Sequence, residues 1–102
     1  MSITKKFLKS KPVCKVTFKL SKDQVNGAAS VNIVGDFNEW DKAGSPMKAL
    51  KNGGFSATLD LEQGKEYQFR YLVDGENWMN DEEADKSAPT PFGDANNSVI
   101  EL

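Results

Sequence analysis

A chain of 102 residues with 38% apolar content is long enough for one hydrophobic core and too short for two domains of ordinary size, and it should bury roughly 65% of its unfolded surface. The net charge is −2, but the first 22 residues hold seven lysines and no acid, leaving six basic against fifteen acidic residues in the other eighty. A nucleic-acid binder would show a basic face interleaved with aromatics, whereas these aromatics lie mostly in the acidic part, so that class is set aside.

There is no histidine. Histidine general bases, histidine-containing triads and most zinc sites are therefore excluded, because carboxylates alone make a poor zinc shell. Cys14 is the single cysteine, so no intrachain disulfide framework exists.

The opening "MSITKKFLKSKP" lacks the apolar run of about 7 to 15 residues of a secretory signal, and no membrane span occurs anywhere. A cytoplasmic location is the expectation. Residues 1–11 read as a lysine-rich, solvated and partly frayed segment, with a docking arm for an acidic partner or membrane surface as the alternative. Pro12 marks the boundary of a single domain over 12–102. Alternation in "VCKVTFKL" sets Cys14, Val16, Phe18 and Leu20 on one face of a half-buried strand. Asn26-Gly27 signals a turn, and "SVNIVG" starts a second strand with Val31 and Ile33 facing together.

After Pro46, "MKAL" reads as a short strand, and "KNGG" at 51–54 as a hairpin turn. "GFSATLDL" alternates again, with Phe55, Ala57, Leu59 and Leu61 inward. In "KEYQFRYLVDG" the core face is Tyr67, Phe69, Tyr71 and Val73, while Glu66, Gln68, Arg70 and Leu72 point out. Asp74-Gly75 turns the chain toward a strand around Trp78, and "SVIEL" is the last strand. Residues 80–97 form the longest irregular piece, in which Pro89 and Pro91 forbid a central strand. The acids of "NDEEAD" read as a solvated face rather than a metal loop. No segment has a 3.6-residue period, so the class is all-β: an immunoglobulin-like antiparallel sandwich of six to eight short strands, with a small barrel as the alternative.

Two tryptophans stand in turn-rich surroundings. Trp40 follows the Gly35-Asp36 turn in "VGDFNEWDKAGSPM", and Trp78 follows Asp74-Gly75. Each either folds back over an edge of the core or offers a flat platform for the C–H face of a sugar ring. Arg70 and Gln68 project outward nearby, and Asn96 and Asn97 precede the last strand. Arg70 serves either a surface ion pair or a ligand hydroxyl, and the asparagines either turn chemistry or a sugar rim.

Taken in order, "VNIVGDFNEWDKAGSPMK", "GFSATLDLEQGKEYQFRYLVDGENW" and "FGDANNSVIEL" resemble the family 48 carbohydrate-binding module. That family includes the glycogen-binding domain of the AMP-activated protein kinase beta subunit and the early-set domains of isoamylases and branching enzymes. The likeness covers residues 31–102. It implies an early-set sandwich that binds α-1,4-linked glucan (glycogen, starch or maltooligosaccharide) without cofactor or metal. It also implies site roles: Trp40 and Trp78 as sugar platforms, Arg70 as the basic residue three before Val-Asp-Gly, Phe92 as the apolar residue that inserts into the glucan curve, and Asn96 as a hydrogen-bonding partner. Two residues, Glu76 and Asn77, separate Val-Asp-Gly from Trp78 where the beta-subunit pattern has one, and Arg70 stands for its lysine.

No catalytic residues are expected, since glycoside hydrolysis needs two carboxylates flanking a cleft. The alternative is an early-set-like interaction or accessory domain of a glucan-processing enzyme, without sugar binding of its own. Nucleic acid and membrane are not expected partners.

Overall fold

The computed structural model describes residues 2–41, 44–81, 83–89 and 96–102, with only the backbone of Ser2. It is all-β. Ten strands follow in order: β1 (Ser2–Phe7), β2 (Val13–Leu20), β3 (Val31–Gly35), β4 (Ser45–Pro46), β5 (Lys48–Ala49), β6 (Phe55–Glu62), β7 (Glu66–Val73), β8 (Asn77–Met79), β9 (Lys86–Pro89) and β10 (Asn96–Glu101). A single turn of 3-10 helix, Asp36–Asn38, follows β3.

Two antiparallel sheets form the sandwich, one in the order β1-β2-β6-β5 and the other β4-β3-β7-β10-β9, with β8 pairing the C-terminal half of β7. The alternation read from the sequence builds the interior. Cys14, Val16, Phe18 and Leu20 of β2 meet Ile33 of β3, Phe69, Tyr71 and Val73 of β7 and Ile100 of β10 in one cluster. Phe18 sits at its centre, with ring centroids 5.3 Å from Phe69 and 6.5 Å from Tyr71. Such edge-on aromatic pairs add about 0.5–1.5 kcal/mol each beyond the area they bury.

Three expectations change. The lysine-rich start is not a frayed arm: Ser2–Phe7 pairs with Lys19–Cys14 along its whole length. Its alternation places Ile3 against the core, and Lys5 reaches across to Asp85 and to the Glu101 carbonyl. These contacts tie the edge strand to the other sheet, so the chain before Pro12 is held by a ladder and an ion pair. The "MKAL" segment supplies its short strand, β5, and a further short strand, β4, precedes it in the other sheet. β4 pairs with β3 and β5 with β6, and the chain crosses between sheets at buried Met47, whose N–H donates to the Val31 carbonyl at 2.8 Å.

The long irregular stretch contains an edge strand, β9, paired with β10. Pro89 is tolerated there because an edge leaves one side of the ladder open. Finally, the acidic run is not wholly solvated. Asp81 is buried and accepts the Tyr71 hydroxyl at 2.6 Å, while its own N–H donates to Ser98 Oγ at 2.8 Å. Burial, with Asp81 beside it, pushes the Tyr71 phenol well above the ordinary tyrosine range, so it stays a donor. Asn80 Oδ1 accepts from Ser98 Oγ at 3.0 Å, and Glu83 N–H donates to the second Asp81 oxygen at 2.8 Å. A buried carboxylate is acceptable only when satisfied in this way.

Candidate binding face

The second sheet has two faces, and the outer one carries the residues of interest. Strand register fixes its rows: Asn32 lies opposite Leu72 and Leu72 opposite Trp78, Val34 lies opposite Arg70, and Gln68 opposite Val99. Val34, Leu72 and Val99 are buried although they point away from the main core. They make a small second apolar layer under the outer surface, beside Trp78 and Arg70.

Trp40 is held beside β7 by the turn built from "GDFNEW". Gly35 packs so closely on β7 that a Cβ would strike the Gln68 carbonyl oxygen and lie 2.8 Å from Phe69 Cβ, so a larger residue cannot fit. Phe37 turns inward, 6.5 Å from Phe18 and 6.2 Å from Tyr67 between centroids. Asn38 folds back, its amide donating to the Ile33 carbonyl at 2.8 Å and its oxygen accepting Gly35 N–H at 3.0 Å. Glu39 and Trp40 both take the left-handed backbone conformation, each with φ 58°. Two successive non-glycine residues there cost on the order of 1–3 kcal/mol apiece and persist only when neighbours over-determine them.

Two bonds hold Trp40: its N–H donates to the Gly35 carbonyl at 2.9 Å, and its indole Nε1 donates to Asp36 Oδ1 at 2.8 Å. The other Asp36 oxygen accepts the Gln68 N–H at 2.9 Å. The indole is left half-buried.

Trp78 stands on the β7–β8 hairpin, whose turn is made by Asp74 (φ 52°) and Gly75 (φ 72°), closed by Glu76 N–H on the Val73 carbonyl at 3.1 Å. Asp74 also anchors the hairpin to the preceding loop, accepting Ala29 and Ser30 N–H at 2.8 and 3.0 Å. Val73 pairs with Asn77 and Leu72 with Trp78, so Glu76 is simply an extra loop residue. A two-residue turn would also put a tryptophan opposite Leu72, and the insertion therefore leaves Trp78 on the outer face. The side chain is 42% exposed.

Arg70 lies two residues from Leu72 on the same strand, which makes it a diagonal neighbour of Trp78 at about 7–8 Å. It is half-buried, and its Nε is buried with no hydrogen-bond partner among the described residues. None of the ion pairs among the described residues involves it.

The two asparagines differ. Asn97 is buried, and its amide donates to Gln68 Oε1 at 3.0 Å, on the Arg70 face. Asn96 is exposed, and its carbonyl accepts from Asn80 Nδ2 at 2.7 Å. Phe92 lies outside the described residues. The structure thus brings Arg70, Trp78 and Asn97 onto one sheet face, with Trp40 linked to β7 through Asp36 and the Gln68 backbone N–H. Asp36 was missed as a contributor in the sequence, although an aspartate four residues before a turn tryptophan is a readable acceptor–donor spacing.

The outer face of the second sheet thus carries one exposed indole, a guanidinium and side-chain amides on one side of a β-sandwich. Residues 15–100 match the family described as the glycogen recognition site of AMP-activated protein kinase. The chain belongs to that family of glycogen-recognising carbohydrate-binding modules. Comparison with curated proteins gives no match.

Proposed function

We propose that this module binds α-1,4-linked glucan, as in glycogen or starch, without catalysing a reaction, and that the outer face of the second sheet is where it does so. One observation carries the proposal: Arg70, beside the exposed Trp78, has neither an ion pair nor an acceptor for its buried Nε among the described residues. A guanidinium so placed keeps its donors for a ligand, and sugar hydroxyls are acceptors that neutral amides and indoles can flank. In this reading Trp40 and Trp78 receive sugar faces, Arg70 and Asn96 bind hydroxyls, and Phe92 adds an apolar contact. The module then serves as the glucan-targeting part of a glucan-processing system.

Burying roughly 100 Å² on each indole contributes about 5 kcal/mol before association and ordering costs, which supports affinity for oligosaccharides of order 0.1–1 mM. Affinity electrophoresis in gels containing glycogen or amylopectin tests it. The folded chain should be retarded, and the Trp40→Ala and Trp78→Ala variants should not. Unretarded migration of the wild type would overturn the proposal, and normal retardation of both variants would overturn the platform assignment. A tryptophan fluorescence response to maltoheptaose separates sugar binding from protein docking alone.

A further inference from the structure

We propose that Asp36 is a positioning residue for glucan binding, acting as a clamp that sets the plane of the Trp40 indole against β7. The proposal rests on the glucan reading of the outer face and extends it to a residue that never has to touch sugar.

Asp36 is exposed at the first turn after β3, where an acidic side chain has no need of partners. Yet both of its oxygens are used. Oδ1 accepts the Trp40 indole N–H at 2.8 Å, and Oδ2 accepts the Gln68 backbone N–H at 2.9 Å. Hydrogen bonds to an ionised acceptor are the strong kind, and a carboxylate accepts two donors from different directions without reorganising.

One end of the clamp is a side chain in a strained turn and the other is the backbone of a central strand. Trp40 therefore inherits its orientation from the β7 ladder, not from the turn alone. The same β7 residue reaches onward, since Gln68 Oε1 accepts from Asn97. Trp40, Asp36, Gln68 and Asn97 thus form one chain of contacts across the sheet that carries Arg70 and Trp78. A platform works only if its face is held where the ligand arrives, and support from rigid elements supplies that. The left-handed backbone at Glu39 and Trp40 is the kind of local conformation that surrounding contacts must enforce. Asp36 supplies one of the two observed bonds to Trp40.

The test is a set of maltoheptaose titrations followed by NMR on wild type, Asp36→Ala, Asp36→Asn, Trp40→Ala and the Asp36→Ala/Trp40→Ala pair. Asp36→Ala should weaken binding at least 5-fold. On the Trp40→Ala background the same change should weaken it less than 2-fold, because nothing remains to be positioned. Asp36→Asn keeps an oxygen for only one of the two donors and should fall between wild type and Asp36→Ala, which provides a milder variant should the alanine change impair folding. Wild-type affinity in Asp36→Ala, or an equal loss on both backgrounds, would overturn the proposal.

Solvent exchange of the Trp40 indole N–H gives a readout that needs no sugar. It should accelerate at least 10-fold in Asp36→Ala, and an unchanged rate would also overturn the clamp. Absence of any wild-type response to maltoheptaose would sink the glucan reading, while the indole exchange still decides whether Asp36 orients Trp40.

Discussion

Replacing Trp78 by alanine separates the stability role of that side chain from its role toward ligand, because the structure divides it between the two. At 42% exposure, and with a fully exposed tryptophan presenting about 250 Å², about 100 Å² of indole faces solvent and the rest rests on the outer layer around Leu72. Covering all of the exposed part with sugar would be worth about 2.5 kcal/mol, and a stacked ring that covers half to most of it contributes about 1.3–2 kcal/mol.

The affinity for maltoheptaose should therefore drop by about 10- to 30-fold, moving a submillimolar complex into the range of several millimolar and beyond. The buried part makes the substitution destabilising as well, by about 1–2 kcal/mol, less than a full core truncation because the site lies on an edge hairpin open to water. Heteronuclear NMR titration reads weak binding directly, and urea unfolding of the same samples gives the stability change. If Trp78→Ala stays folded at the titration temperature and binds within 2-fold of wild type, the exposed indole face contributes nothing to recognition and the magnitude argument fails.

Arg70→Met keeps the length of the side chain but removes a buried donor that has no partner among the described residues; it should leave stability unchanged or raised by up to about 1 kcal/mol while weakening glucan binding about 5- to 10-fold, read by paired thermal melts and titrations. Tyr71→Phe strands the buried Asp81 carboxylate and should cost about 1.5–3 kcal/mol in urea unfolding, with the loss of protection from hydrogen exchange concentrated at residues 80–83. Burial alone would raise the Asp85 carboxyl, but hydrogen bonds from Lys5 and from Glu101 N–H outweigh it and hold the group below the usual aspartate range. A depressed carboxylate stabilises the fold above its unfolded value and loses that contribution as pH falls through the lower folded one. Asp85→Asn should therefore be modestly less stable than wild type at pH 7, the exposed pair being screened by solvent, and the difference should start to shrink at about pH 4 and disappear as the pH falls through the lower folded value; a gap that does not narrow at all between about pH 5 and pH 2 would count against the assignment.

The strands of the main core were legible because one face of each is dry. Period-two alternation in β2, β6 and β7 follows directly from that, and the inward residues were those expected. β1 was hidden because an edge strand buries little: only Ile3 packs on the core, and the lysines that hid it are also the residues that keep an open edge from pairing with other chains. The change of sheet at Met47 was hidden because crossing needs no special residue, only a buried side chain at that point. On the proposed binding face, the outward direction of Arg70 followed from alternation. The distinction between Asn96 and Asn97 depends on the contact with Gln68, which adjacent identical residues cannot reveal. Val34 and Leu72 did leave a trace. An apolar residue at an outward position of an alternating strand marks a surface that something covers, and here it lies beneath the proposed site.

The crossing at Met47 has a mechanical consequence. Seven residues after Trp40, the chain leaves the sheet that carries the indoles, and two residues later it is already hydrogen-bonded into the opposite one. The two layers are thus laced together and cannot slide past each other without breaking the bond from Met47 to Val31. Pulling on a polymer attached to one layer loads the other almost at once. The module should therefore yield to force or heat in a single step, with no intermediate in which the second sheet survives alone.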